Sequence, residues 1–284
     1  MIKFENLDID KAEKLLHSDL PEDVIEFLSK PYPLTEEQIN IYQENGFIKL
    51  EKVIEEVMLS SIRKVIQSSV LLRKESDKRT LAEKSKYEQS FLQCGFLCWD
   101  FPAMKQFVYS KRFAGIARDL MKADGARLWH DQALFKQPKG GATSVHQDSS
   151  YWPVAEPQFT TTIWIALNEV TKENGCLFFY PKSHLSKREY VDIFKNPHEP
   201  EAAKKQNKEY VPLNPGDATF HSGLTFHGTD ANSTDQMREG MTIIYLKDGC
   251  TFDSSDKRNA THKSCSGLQH GEIIDTKYTP LLTD

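Results

Sequence analysis

The residues of this 284-residue chain best suited to chemistry are His146, Asp148, His227 and Arg238. In His146-Gln147-Asp148, two ligand-type side chains are separated by a single residue. On an extended backbone successive side chains alternate between faces, so this pair projects to one side. An imidazole and a carboxylate on one face, joined by a distant second histidine, make up the facial triad that holds non-haem iron(II). His227, between Phe226 and Gly228, is placed to be that histidine on a neighbouring strand. Arg238 comes eleven residues later, just before the strand-like run Met241–Leu246. A buried guanidinium offers a planar, permanently charged fork that takes a carboxylate through two parallel hydrogen bonds. That suits the distal end of a dicarboxylate cosubstrate.

An H-x-D triplet alone is a weak signal. A second copy, His17-Ser18-Asp19, lies in polar sequence just before a predicted helix, with no strand context or partner, and reads as a chance match. The copy at 146 gains meaning from the β-rich sequence around it and from the downstream pair His227 and Arg238. His221 precedes His227 by an even offset, but Ser222 and Gly223 predict a bend between them, so a supporting or structural place is expected. His130 and Asp131 are adjacent, and adjacent strand residues point to opposite faces, which argues against a catalytic pair. His184 lies after a turn and is expected to make a structural hydrogen bond. His17, His198, His262 and His270 sit in polar context and call for no special function.

The elements that must position these groups change character midway. Pro21-Glu22-Asp23 predicts a helix first turn, with Val24, Ile25, Phe27 and Leu28 as its apolar side. Thr35-Glu-Glu-Gln38 predicts a capping box, and Asn45-Gly46 a left-handed stop. Phe47–Leu50 reads as a short strand; Glu55–Ser69 and Ser110–Met121 return to helical spacing. From Arg127 onward, short β-rich runs alternate with Gly, Pro and Asn: Arg127–Phe135, Thr160–Leu167, Cys176–Tyr180, Ala218–His221 and Met241–Leu246. Short strands without long intervening helices predict a sandwich or barrel rather than βαβ units. The charged stretch Ser186–Tyr210 is long for a loop in a compact domain; it reads either as a lid or as a solvated excursion.

Bulk properties narrow the function classes. A net charge of −5 and a pI near 6.0 disfavour a nucleic-acid partner. The five cysteines are odd in number and scattered without a C-x-x-C pair, which predicts reduced thiols rather than a disulfide framework or zinc knuckle. The first residues mix charges from the start, and no apolar run approaches a membrane span, so the expectation is a cytoplasmic protein with no membrane association. Oligomeric state is not legible.

The ordered series H-x-D, His and Arg resembles the phytanoyl-CoA dioxygenase family of iron(II)/2-oxoglutarate oxygenases. Leu34–Ile48 (LTEEQINIYQENGFI) resembles that family's opening helix and first strand. Trp164–Cys176 (WIALNEVTKENGC) and Tyr180–His184 (YPKSH) resemble its central stretch, and Val211–Asp217 (VPLNPGD) the turn before its distal histidine strand. Lys182 stands where a glycine is usual. The resemblance runs in order from about Leu34 to Leu246. It implies a mostly β fold with flanking helices: a double-stranded β-helix (jelly-roll, cupin-like) core with an N-terminal helical region packed on it. The expected organisation is one domain, with a helical part at about 1–125, a β-rich catalytic core at about 126–250 and an extension at 251–284.

The resemblance further implies iron(II), 2-oxoglutarate and dioxygen as cofactors and cosubstrates, with His146, Asp148 and His227 as catalytic metal ligands. It places Arg238, Thr229, Trp164 and Lys136 around the cosubstrate. Without it, Trp164 would read as a core aromatic, Thr229 as a turn hydroxyl and Lys136 as a strand-end surface charge. The implied activity is hydroxylation of an unactivated C–H bond of a small molecule, with succinate and carbon dioxide as coproducts. Related halogenases replace the carboxylate with a small residue, so Asp148 favours hydroxylation. The substrate stays open among acyl-CoA, fatty acids, terpenoids, amino-acid derivatives and other metabolites. Ser186–Tyr210 and Tyr87–Asp100 are expected to wall its pocket. Two alternatives are a non-catalytic jelly-roll binding protein, which would have no reason to keep the full residue series, and a jelly roll using another metal, in which Arg238 has no evident task.

Overall fold

The computed structural model describes residues 4–195, 197–255 and 262–283. Helices dominate the first part: α1 (Ile9–Leu16), α2 (Glu22–Ser29), α3 (Glu36–Asn45), α4 (Glu56–Lys74), α5 (Lys86–Ser90), α6 (Pro102–Val108) and α7 (Lys111–Leu120). Strands β1 (Phe47–Leu50) and β2 (Leu92–Gly95) fall among them. Next come β3 (Ala126–Phe135), β4 (Thr143–His146), β5 (Thr160–Ala166) and β6 (Leu177–Phe179). A short helix α8 (Glu201–Lys204) precedes β7 (Glu209–Val211), β8 (Ala218–Ser222), β9 (His227–Thr229), β10 (Gly240–Lys247) and β11 (Leu281–Thr283).

The strands form two antiparallel sheets of a jelly roll. The larger has the order β1-β8-β5-β10-β3-β11, with β2 also paired to β3; the smaller has the order β4-β9-β6-β7. Non-consecutive neighbours such as β5 and β10 come from a chain that winds between the sheets. Phe47 of β1 stacks on Phe179 of β6 at 4.5 Å and helps to tie the two sheets together. No helix among the described residues is long and apolar enough to cross a membrane.

Period-two alternation divides the large sheet into two functions. Ile163, Ile165, Met241, Ile243, Tyr245 and Phe220 turn outward to a core shared with Val24, Phe27, Ile62, Phe107 and Phe113 of the helices. Each such side chain contributes on the order of 1.5–3 kcal/mol when fully buried, which explains why the helices pack on this face. The alternate residues Thr162, Trp164 and Thr242, with His130, Gln132 and Leu134 of β3, turn inward to a cavity. The register slips between Ile244↔His130 and Tyr245↔Leu128, leaving Trp129 as the extra residue of a β-bulge.

Local chemistry explains several element ends. Thr35 and Gln38 form the expected capping box, with Gln38 N–H donating to Thr35 Oγ1 at 3.2 Å and Thr35 N–H to Gln38 Oε1 at 2.9 Å. Helix α3 stops at Gly46, whose φ of +80° any other residue would adopt only under strain. A Cβ there would also lie 2.3 Å from His184 Nδ1. Helix α4 runs to Lys74, five residues beyond the predicted Ser69. Ser68 and Ser69 return their hydroxyls to Lys64 O and Ile66 O, so neither competes with the helix, and Val70 and Leu71 extend its buried side. Lys182, at the glycine-like position, has φ +65°, and its ammonium pairs with Glu44 at 2.7 Å.

Candidate metal and cosubstrate site

His146 ends β4 and His227 begins β9, and the two residues face each other across the antiparallel pair. Asp148 lies two residues after His146, at the start of a short 3-10 turn (Asp148–Tyr151). One ligand atom from each of the three lies within 4.8 Å of the others. Asp148 Oδ1 is 3.4 Å from His146 Nε2 and 3.6 Å from His227 Nε2. Each ring is oriented from behind: His146 Nδ1 lies 2.8 Å from Ser144 O, and His227 Nδ1 3.0 Å from Thr225 O. A carbonyl accepts only from N–H, so the proton sits on Nδ1 and the Nε2 lone pair faces its neighbours.

Asp148 is oriented in the same way. Its Oδ2 accepts from Thr162 Oγ1 at 2.8 Å and lies 3.1 Å from His221 Nε2, which leaves Oδ1 for the two ligand-type rings. Burial would raise the Asp148 carboxyl, but His227, His146 and His221 hold it well below the usual carboxylate range. Burial pushes His227 well below its ordinary value, and the neighbouring histidines push it the same way. An ionised carboxylate with neutral imidazoles is the donor set that a divalent iron takes. His221, expected to be supportive, fixes the carboxylate, while His17-Ser18-Asp19 ends α1 with His17 bonded to Glu13 O and Asp19 to Gln106, outside the cavity.

Arg238 lies just before β10 and is 1% exposed. Its Nη1 donates to Gly175 O, its Cζ lies 5.0 Å from the centroid of the Trp164 ring, and its buried Nε has no protein partner. Burial lowers its pKa to about 10. Gly240 makes room for the Trp164 indole, since a Cβ there would fall 2.1 Å from that ring. Lys136 pairs with Arg238 across an antiparallel bridge, so their side chains share a face. Lys136 is 0% exposed, its Nζ donates to Gly141 O, and burial together with the Arg238 charge lowers its pKa to about 6. A buried guanidinium with an unpartnered N–H, beside an amine that burial holds largely neutral, is the counterpart of a carboxylate. Thr229 lines the cavity beside them and donates to Thr143 Oγ1 at 3.1 Å; Trp164 and Arg238 also line it, whereas Lys136 stands behind Arg238.

The cavity, about 230 Å³, extends from Arg238 past the triad to a second end. Both segments expected to form walls reach it. Tyr87 and Phe91 come from one, Ile193 and Phe194 from the other, and Tyr87 meets Phe194 at 4.4 Å. The second segment hangs on the triad's own turn. Tyr151 OH donates to Val191 O at 2.6 Å, Ser150 Oγ to Glu189 O at 2.8 Å, and Gln147 Oε1 accepts Glu189 N–H at 2.7 Å. His262, given no function from sequence, also lines the cavity, stacked on Trp129 at 4.3 Å. Its burial comes from how the C-terminal segment packs, which no local pattern encodes.

The fold recurs in solved structures. The non-haem α-ketoglutarate-dependent carbocyclase of nogalamycin biosynthesis matches with a TM-score of 0.74 and 26% identity, covering 89% of this chain and 100% of that one. EctD of S. alaskensis, solved with 2-oxoglutarate and 5-hydroxyectoine, matches with a TM-score of 0.63 and 19% identity over 84% and 82% of the two chains. A jelly roll with this triad and this buried arginine is the architecture of the 2-oxoglutarate-dependent non-haem iron oxygenases. Among sequence relatives, a methylphosphonate hydroxylase of Gimesia maris is 27% identical over 214 residues, 75% of this chain and 80% of that protein. A probable phytanoyl-CoA dioxygenase of Caenorhabditis elegans is 23% identical over 254 residues, 79% of each. The family model of phytanoyl-CoA dioxygenase matches residues 42–240, and the chain belongs to that family.

Proposed function

We propose that this oxygenase hydroxylates an unactivated C–H bond of a small-molecule substrate, with succinate and carbon dioxide as coproducts. The observation that carries the reading is the pairing of two built sites in one cavity. His146, Asp148 and His227 present a facial donor set, and Arg238 presents a buried cation with an unpartnered N–H. Iron(II) and 2-oxoglutarate supply the oxidising chemistry when bound; the protein supplies orientation and shielding.

The residues have separable tasks. His146, Asp148 and His227 hold the metal; Ser144, Thr225, Thr162 and His221 fix their orientation. Arg238, with Thr229 beside it and Lys136 behind it, takes the distal carboxylate of the cosubstrate, and Trp164 forms the wall on which the guanidinium lies. Holding both reactants in place before oxygen arrives lowers the entropic part of the barrier. The aromatic segment at Ile193 and Phe194 limits water at the reacting end. Asp148 supports hydroxylation over halogenation, because a carboxylate stands where halide would need space. The test is turnover under ¹⁸O₂ with a substrate found by substrate-dependent succinate release. One labelled oxygen in the product is expected. A product without label, or one that is halogenated or ring-closed, would contradict hydroxylation.

A further inference from the structure

The cavity ends in two different chemistries. Arg238 makes one end cationic. At the other, β3 turns His130 inward by the same alternation that exposes Gln132 and Leu134 to the cavity. His130 lies opposite Ile244, and Ile244 opposite Thr162, the residue that holds Asp148. Two strand spacings put His130 roughly 10 Å from Thr162, on the far side from Arg238. It is 8% exposed, and its Nδ1 is buried without a protein partner.

His262 joins it, with ring centroids 5.5 Å apart, and lies almost flat on Trp129 with 15° between planes. His262 Nδ1 accepts from Ser264 N–H at 3.2 Å, which places the proton of the neutral ring on Nε2. Burial keeps both rings neutral, lowering His262 to about 4 and His130 well below its ordinary value. The rest of this wall is mainly aromatic and apolar (Tyr87, Phe91, Tyr151, Trp152, Ile193 and Phe194), and its uncharged polar groups, Gln93, Gln132 and Thr242, are bonded to one another or to the backbone. Among the described residues lining the cavity, formal charge is carried by Asp148 and Arg238, both already committed to the metal and the cosubstrate.

We propose that the primary substrate is an uncharged, mainly apolar molecule whose hydroxyl or carbonyl is anchored by hydrogen bonds to His130 and His262. The inference rests on the oxygenase reading and specifies the substrate class of the same site. A carboxylate or phosphonate entering this end would surrender its hydration and meet no cation. A hydroxyl would instead satisfy a buried nitrogen that lacks a partner, while the hydrocarbon body covers the aromatic wall.

The experiment uses the full chain loaded anaerobically with iron(II) and 2-oxoglutarate. It is titrated with toluene, benzyl alcohol, benzamide, benzoate and benzylphosphonate, and monitored by calorimetry and by perturbation of the visible chelate band. Benzyl alcohol and benzamide are expected to bind at least tenfold more tightly than the two anions. His130→Leu and His262→Leu are each expected to weaken benzyl alcohol by about 2–10-fold, the worth of one hydrogen bond, and to leave toluene unchanged. His262→Gln, which keeps a donor, is expected to retain the alcohol affinity. Anions that bind as tightly as the neutral probes, variants that weaken toluene and alcohol alike, or no binding by any neutral probe would overturn the inference. Absence of the chelate band before any probe is added would instead overturn the oxygenase reading, and this inference with it.

Discussion

The two ends of the cavity are built by different means. The proposed metal and cosubstrate end is made from short strands of both sheets, and His146, Asp148, His227 and Arg238 are each held from behind by a backbone carbonyl, a hydroxyl or an indole face. The far end joins His130 of β3 to pieces remote in sequence: Tyr87 and Phe91, Ile193 and Phe194, and His262 of the C-terminal segment. One end is charged and fixed; the other is neutral and closed by a segment that hydrogen bonds from Gln147, Ser150 and Tyr151 tie to the triad's turn. On the proposed reading the sheets hold the metal and cosubstrate, while the substrate meets His130 of β3 together with residues that loops bring to it, as where loops add specificity to a rigid scaffold.

The largest separable effect falls on the supports of the fixed end. His221→Phe removes the group 3.1 Å from Asp148 Oδ2 without touching a proposed ligand. Loss of such a support typically costs about 10–100-fold in metal affinity, and that is the expected drop in iron(II) binding, read by titration against a chelator. Unchanged affinity would remove His221 from the positioning scheme.

A second test addresses the buried amine beside Arg238. Burial holds Lys136 at a pKa of about 6, against an ordinary 10.5. The unfolded chain therefore keeps that proton across a window in which the folded chain releases it, and stability is lost as pH falls from about 10 towards 6. Lys136→Met is spared this loss. Without cosubstrate its melting temperature is expected to exceed the wild type by several degrees at pH 6.5, with the gap shrinking towards pH 9. A gap that widens as pH rises would contradict the assignment.

The smallest effect concerns the neutral end. Tyr151→Phe deletes the hydroxyl that donates to Val191 O. One hydrogen bond is worth about 0.5–1.5 kcal/mol, so KM for the primary substrate is expected to rise by roughly 2–10-fold, with iron and 2-oxoglutarate binding unchanged. A loss confined to cosubstrate binding would erase the division between the two ends.

The same division governs what can be read from the chain. His146, Asp148, His227 and Arg238 stand out because strand alternation and short spacing are local properties, and the capping box at Thr35 is equally local. Strands β4 and β9 do not stand out as β-rich runs, because Thr143–His146 and His227–Thr229 are mostly polar; there the extended chain is suggested by the ligand-type residues alone. Ser68-Ser69 reads as a helix end because serine favours caps, but both hydroxyls bond back within α4. For His130, alternation separates it from Asp131 but does not tell which of the two faces the cavity; Asp131 instead accepts Leu97 and Cys98 N–H on the other side. His262 reads as polar context, since only the packing of the C-terminal segment on Trp129 brings it inward.

At the heart of this reading, one cavity holds iron by His146, Asp148 and His227 and 2-oxoglutarate by Arg238. The most direct measurement is anaerobic addition of iron(II) and then 2-oxoglutarate to the wild type, His146→Ala and Arg238→Met, watching the weak visible charge-transfer band of the chelate. A band is expected in the wild type and none in His146→Ala. In Arg238→Met the expected band needs at least about 30-fold more 2-oxoglutarate, the lower range for truncating one partner of a buried charge pair, with iron affinity unchanged. No band in the wild type, an undiminished band in His146→Ala, or equal losses of iron and cosubstrate in Arg238→Met would contradict it.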